Sequence, residues 1–437
     1  MEIDSRSLII KILVKFDKEN KSLQELRNHF FLTYQLVPSI KYKVMAITND
    51  IIRLKGRLDF LIISVSNRKI NQINSNILNI LRLGFYETLY DENIPNYASV
   101  NSLVNITQKL ISKRAGGFVN AILRNLIREI KTDVNFLNKF KNSLKWNSFP
   151  IWLQKKWKKE YGDKNFSRLI SYLNRKQNNF VRVNDSSIFE KTLKQLKDNN
   201  IKYELFNKNF LKLNSRTSEL LKTDLFKNGI ISIQDPAAGA VVDLLNLKYG
   251  DVVLDICAAP GTKSLSISDK IGEKGKVLAY DNNTLRIKKA KKDIKRHKKK
   301  NIYWEQKDAI FDEYPLSNKI LLDVPCSGTG VIGNRPDIRW RRNSDDIFRN
   351  SILQLKILKN VSKYLKVGGY MIYSTCSLEK EENWNVIEKF LKFNLNFRLD
   401  KLNEEVPFDW IDSKGCLNTL PHEHNVGGMF AARLIKI

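Results

Sequence analysis

Asp255-Ile256-Cys257-Ala258-Ala259-Pro260-Gly261-Thr262-Lys263-Ser264 is the stretch on which the fold turns. The apolar run Val252-Val253-Leu254 leads into it, so a buried strand ends in a loop of small residues. In such a loop backbone N–H groups can approach a ligand closely, and the following helix offers its N-terminus to an anion. Working outward, Lys276-Val277-Leu278-Ala279-Tyr280-Asp281 reads as the next strand and Lys319-Ile320-Leu321-Leu322-Asp323-Val324 as another. Tyr370-Met371-Ile372-Tyr373-Ser374 follows the turn Lys366-Val367-Gly368-Gly369. Strands separated by helical stretches predict a mostly parallel, doubly wound α/β sheet over 236–437, with ligands beyond the carboxyl ends of its strands. Asp281, twenty residues after Gly261, is placed to accept hydrogen bonds from ribose hydroxyls, and Asp308 to meet a base amino group. The pattern predicts a nucleoside-cofactor site.

Gly328-Thr329-Gly330-Val331-Ile332-Gly333 matches the dinucleotide fingerprint to the letter. That fingerprint must open a helix, however, and Asn334-Arg335-Pro336 breaks one at once. Nicotinamide binding is therefore not expected.

Two thiols stand beyond two of the strands, in Asp323-Val324-Pro325-Cys326 and Ser374-Thr375-Cys376-Ser377. One such cysteine alone would read as a buried, inert hydrophobe. A pair in a nucleoside-cofactor fold points to chemistry: a thiolate can add to C6 of a pyrimidine and make C5 nucleophilic towards an electrophilic methyl group. Lys263, Arg335 and Arg339 are the basic residues expected to favour ionisation. Chemistry alone leaves open which thiol attacks.

Residues 1–135 read as helix after helix, with Val119, Ile122, Leu123, Leu126 and Ile130 at helical spacing. Residues 136–235 are mixed, an expected connecting and RNA-binding subdomain. There Trp146, Trp152, Trp157 and Tyr161 lie among Lys155, Lys156, Lys158 and Lys159; these aromatics could stack bases, but packing is the preferred reading.

The 437 residues carry 75 Lys and Arg against 46 Asp and Glu, a net charge of +29 that suits a polyanionic partner. The densest run, Arg286 to Lys300, reads as a solvated basic helix available to a phosphate backbone. At 42% apolar residues the chain can build cores, which argues against disorder. No apolar run reaches the ~18 residues a membrane span needs, and Met1-Glu2-Ile3-Asp4 does not begin a secretory signal. Four cysteines are too few for a disulfide scaffold, and Cys416 with His422 and His424 makes a poor metal set; no metal is expected. A cytoplasmic protein is expected.

At the motifs themselves the chain resembles the RsmB/Sun family of ribosomal RNA cytosine-C5 methyltransferases. The resemblance is carried by Cys257 to Lys263, Asp323 to Gly330, Arg335-Pro336-Asp337-Ile338-Arg339-Trp340 and Tyr373 to Ser377. The helical half is similar to a NusB-like RNA-binding domain at Arg57-Leu58-Asp59, Leu81-Arg82-Leu83-Gly84 and Gly117 to Arg124. The resemblance implies a multidomain chain: an all-α NusB-like domain (1–135), the mixed subdomain (136–235) and a Rossmann-like class I methyltransferase domain (236–437).

It further implies that Cys376 attacks C6, Cys326 assists elimination, Asp323 meets the cytosine edge and Lys263 positions the target. Cys257, Ala258, Ala259, Pro260, Gly261, Thr262 and Lys263, with Asp281, Asp308 and Asp323, would hold S-adenosyl-L-methionine. Small-subunit ribosomal RNA is the implied partner, with no DNA and a monomer expected. Thr262 and Gly427 depart from the family pattern, which more often has glycine and aspartate there. The rival readings are a methyltransferase of another RNA, such as transfer RNA, and a non-catalytic RNA-binding factor.

Overall fold

A computed structural model of the protein describes residues 4–402 and 405–437. Residues 1–3, on which the expectation of no signal partly rests, lie outside this range. The chain forms two compact units, Met1–Arg175 with Ile332–Arg342, and Lys176–Val331 with Asn343–Ile437.

The first unit is helical, as expected: α1 (Ser5–Lys18), α2 (Leu23–Thr33), α3 (Pro38–Ser66), α4 (Ser75–Tyr90), α5 (Asn96–Leu110), α6 (Lys113–Thr132) and α7 (Ile151–Leu173). Its apolar stripes meet in one core that includes Leu8, Ile12, Leu58, Leu81, Leu103, Val119 and Leu123. Gly84 allows α4 to approach α5 and α6 closely, since a Cβ there would lie 2.6 Å from Leu123 and 3.0 Å from Leu103. Arg82 is buried and pairs with Asp59 (2.6 Å) and Asp17 (2.5 Å). Arg82 and Asp59, two residues that carry the NusB resemblance, thus bind one another inside the unit. Trp157 is fully buried against Phe149, and the Arg57 guanidinium covers Trp146, so both rings pack rather than wait for a base.

The second unit begins with a small antiparallel sheet, ordered β2-β3-β1-β4, from β1 (Asn179–Val183), β2 (Tyr203–Asn207), β3 (Phe210–Leu213) and β4 (Ile231–Ile233). Helix α8 (Phe189–Asp198) lies between β1 and β2, and short turns α9 (Thr217–Leu220) and α10 (Asp224–Lys227) precede β4. After α11 (Pro236–Asp243) comes the main sheet: β5 (Val252–Ile256), α12 (Thr262–Ile271), β6 (Lys276–Asp281), α13 (Thr284–Arg296), β7 (Ile302–Gln306) and β8 (Ser317–Asp323). The chain then leaves for Ile332–Arg342, with its short α14 (Ile338–Arg341), and returns through α15 (Ser344–Val361) to β9 (Leu365–Thr375). Helix α16 (Trp384–Phe393), β10 (Phe397–Leu399), β11 (Leu417–Asn418), α17 (Pro421–His424) and β12 (Phe430–Lys436) complete it.

The sheet order is β10-β12-β9-β8-β5-β6-β7, with β11 beside β12. The five strands β9, β8, β5, β6 and β7 are parallel, and β12 and β10 add an antiparallel edge. Val253, Leu254, Ile256, Ile320, Leu321 and Leu322 are fully buried because the central strands are covered on both faces, which is why they read as unbroken apolar runs.

Two boundaries differ from the expected ones. The expected subdomain 136–235 is divided, its helices lying in the first unit and its strands in the second. Residues 332–342, expected within 236–437, pack in the helical unit. There the buried Arg339 donates to the carbonyls of Arg53 (2.8 Å), Ser148 (3.1 Å) and Leu173 (3.2 Å) and to Asn174 Oδ1 (2.8 Å). Trp340 Nε1 donates to Ile52 O and Asp337 accepts from Leu23 N. Burial, with Arg53 and Arg57 nearby, pushes the Arg339 pKa well below the usual arginine range. Arg339→Met should leave several buried acceptors unpaired and destabilise this unit by about 3 kcal/mol, read from thermal unfolding. An unchanged melt would contradict that role.

Candidate active site

Strand register brings the chemistry to one edge. Ile256 pairs with Tyr280 and Leu322, and Asp323 pairs with Ser374, so the carboxyl ends of β5, β6, β8 and β9 finish together. Asp323 is the last residue of β8, and Cys326 follows three residues on; Cys376 directly follows β9.

Cys326 Sγ and Cys376 Sγ lie 3.3 Å apart, both half-buried. Gly330 makes this approach possible: its N–H donates to the Cys376 carbonyl (3.0 Å), and a Cβ on it would lie 2.1 Å from Gly428 O. The false dinucleotide fingerprint is thus a backbone crossing beside the thiols. Hydrogen bonding with Cys376, then burial and the Cys376 and Glu382 charges, push the Cys326 pKa well above the ordinary thiol value. Cys326 is thus held towards its protonated form, while the basic residues expected beside the thiols are placed differently. Arg339 is committed to carbonyls of the helical unit, and Arg335 belongs to that unit as well.

Lys263 does stand among the site residues. Its Nζ donates to Asp323 Oδ2 (2.8 Å), while Ser374 Oγ donates to Oδ1 (2.8 Å). Burial works against the ammonium, but Asp323, Cys376 and Asp255 together outweigh it, so the Lys263 pKa is raised and the charge retained.

The loop Cys257–Lys263 passes from β5 to α12 with Gly261 at φ +95°, a conformation that suits glycine. A Cβ there would lie 3.1 Å from the Trp304 ring and 3.3 Å from Ala290. Thr262 is the first residue of α12. Asp255, fully buried, accepts from Ser264 Oγ (2.5 Å); burial pushes its pKa up to about 7. Asp281 accepts from Ala259 N (3.1 Å) and Asn283 N (2.9 Å) and pairs with Arg286 (3.4 Å), which also donates to the Ala259 carbonyl. Asp308, after β7, accepts from Ile310 N (2.9 Å). Burial, then the carboxylates of Asp281 and Asp323, hold Cys257 far above the usual thiol range. Small residues rimmed by acids fit a nucleoside that carries a positive sulfonium.

Family models match the chain twice, 16S rRNA methyltransferase RsmB/F over residues 242–435 and the NusB family over 3–128. The chain is 32% identical over 365 residues to ribosomal RNA small subunit methyltransferase B of Yersinia enterocolitica, covering 82% of this chain and 81% of that protein. The chain belongs to the RsmB/Sun family of 16S rRNA methyltransferases. Ribosomal RNA small subunit methyltransferase B of Pasteurella multocida matches at 27% over 454 residues, 100% of this chain and 96% of that protein. The solved structure of PH0851 has the same fold, with a TM-score of 0.80 at 24% identity over 100% of both chains.

For this RsmB-family methyltransferase, sequence reasoning missed two groups. Glu382, on the chain after β9, accepts hydrogen bonds from both cysteine loops. The repeated Cys-Ser pairs, Cys326-Ser327 and Cys376-Ser377, were a signal for a shared partner. Asp235, at the N-terminus of α11, accepts from Gly427 N (2.8 Å), and a Cβ on Gly427 would lie 3.1 Å from its carboxylate. An aspartate at 427 would set two acids against each other there.

Proposed function

We propose that this chain transfers the methyl group of S-adenosyl-L-methionine to C5 of a cytosine in small-subunit ribosomal RNA through a Cys376–C6 adduct. The observation that carries the reading is the 3.3 Å thiol pair beside the Lys263–Asp323 ion pair. S-adenosyl-L-methionine, when bound, supplies an electrophilic methyl group. Residues 257–263 with Asp281, Asp308 and Asp323 would hold it. In the structure Arg286 spans Asp281 and the loop, so ribose hydroxyls would compete with Arg286 for the Asp281 carboxylate.

The target base is unstacked to expose its face. The Cys376 thiolate adds to C6, and the C5–C6 π electrons move to C5 while Asp323, steadied by Lys263 and Ser374, meets the base edge. Carbon 5 takes the methyl group as the sulfur–methyl bond breaks, the bond's electron pair leaving with the sulfur as a neutral thioether. The C5 proton then passes to solvent water and the double bond re-forms as the C6–S bond breaks, while Cys326, protonated and 3.3 Å away, hands its proton to the departing sulfur and regains one from solvent. The helical unit and the small antiparallel sheet that opens the second unit would hold the RNA. Lys288, Lys289, Lys291, Lys292 and Lys295, all exposed on α13, would contact phosphates, since Ile287, Ala290 and Ile294 carry the buried face.

The test is incubation with methyl-labelled S-adenosyl-L-methionine and small-subunit ribosomal RNA, followed by nucleoside analysis. Label in 5-methylcytidine is expected; label in another nucleoside contradicts the proposal. Gly261→Val forces a branched side chain into a left-handed backbone and towards Trp304. It should weaken cofactor binding roughly tenfold by calorimetry, and unchanged affinity would place the cofactor elsewhere.

A further inference from the structure

We propose that Glu382 is a positioning residue that holds the two thiols in register, its buried carboxylate clamping the residue that follows each cysteine. The inference rests on reading Cys326 and Cys376 as the working pair. Glu382 is 0% exposed. Its Oε1 accepts from Ser327 N (2.8 Å) and Gln354 Nε2 (3.2 Å), and its Oε2 accepts from the hydroxyls of Ser327 and Ser377. Gln354 also donates to Pro325 O (2.9 Å), so the residues on both sides of Cys326 are tied to one group. Tyr373 Oη donates to the Glu382 carbonyl (2.6 Å), and Asn383 Nδ2 donates to Ser377 O (2.9 Å), which secures the clamp to the end of β9.

A carboxylate suits this place because four donors converge on its two oxygens. Glutamine would offer one acceptor and set an N–H₂ group against donors. A residue that merely capped α16 would have no reason to reach the Ser327 loop, 55 positions away in sequence. The partners named are hydroxyls, an amide and a main-chain N–H, none of them cationic, so the negative charge is not cancelled by them. That charge adds to the Cys376 hydrogen bond and burial, which lead in opposing ionisation of Cys326. Glu382 thus ties together the two loops whose cysteine sulfurs lie 3.3 Å apart.

The test reads the thiols directly, with neither RNA nor cofactor present. Iodoacetamide labelling of Cys326 and Cys376 in the full-length protein is followed by peptide mass spectrometry from pH 6 to 10. Glu382→Gln removes the charge, which favours the Cys326 thiolate. Labelling of Cys326 at pH 8.5 should rise roughly 3- to 10-fold and its profile should move to lower pH. Glu382→Asp, which keeps the charge, should restore the parental profile. Parental profiles for both thiols in a folded Glu382→Gln protein would overturn the proposal.

Should that variant fail to fold, Ser327→Ala with Ser377→Ala cuts both hydroxyl links and leaves the carboxylate in place. Methyl transfer should then lose roughly tenfold in kcat with KM for RNA held, and parental kcat would overturn the clamp. Because labelling is independent of the methylated base, failure of the clamp and failure of the cytosine reading give different results.

Discussion

Cys326→Ala protein, incubated with S-adenosyl-L-methionine and small-subunit ribosomal RNA, should stall as a covalent RNA–protein complex that survives denaturing electrophoresis. Cys376 still adds to C6 in this variant, and C5 still accepts the methyl group. What is lost is the thiol 3.3 Å from the departing sulfur, held protonated by its contact with Cys376, by burial and by nearby negative charge. The adduct should approach one per enzyme while turnover falls at least about 10²-fold, the scale of removing a positioned general acid. If no adduct forms and turnover is normal, Cys326 has no part in elimination.

Cys376→Ala should abolish methyl transfer, with a fall of at least about 10⁴-fold, because alanine offers no nucleophile and burial still opposes ionisation of the neighbouring thiol. No adduct should appear, either in this variant or in the protein lacking both thiols. The Lys263–Asp323 ion pair does not depend on the sulfur, so RNA affinity should stay within a fewfold. An adduct in Cys376→Ala protein would exchange the two roles. The opposite behaviour of two adjacent cysteines makes the pair of variants decisive where either alone would show only lost activity.

Much of the catalytic half was legible because its physics is local. A strand buried on both faces must be an unbroken apolar run, so Val252–Ile256 and the runs ending at Asp281 and Asp323 announced themselves, and the parallel sheet then required the loops after them to meet. The cysteine pair was visible for the same reason, as two residues beyond the ends of two strands that turn out to be neighbours. Arg339 was misread because its partners are carbonyls of Arg53, Ser148 and Leu173, and a backbone acceptor has no sequence signature. Its charge suggested the thiols; its geometry assigns it to the helical unit. Glu382 was overlooked because one acid in the charged run Glu379-Lys380-Glu381-Glu382 looks like surface until its oxygens are seen to face Ser327 and Ser377. Asp281 was placed correctly at the end of β6, but periodicity could not reveal that Arg286 holds it to the cofactor loop.

Bisulfite sequencing of small-subunit ribosomal RNA, from cells that carry this gene and cells that lack it, tests the central claim most directly. One cytosine protected from conversion in the parent should become convertible in the deletion, and the parental gene, but not its Cys376→Ala form, should restore protection. A ribosomal profile identical in both strains would contradict the account and move the target to another RNA.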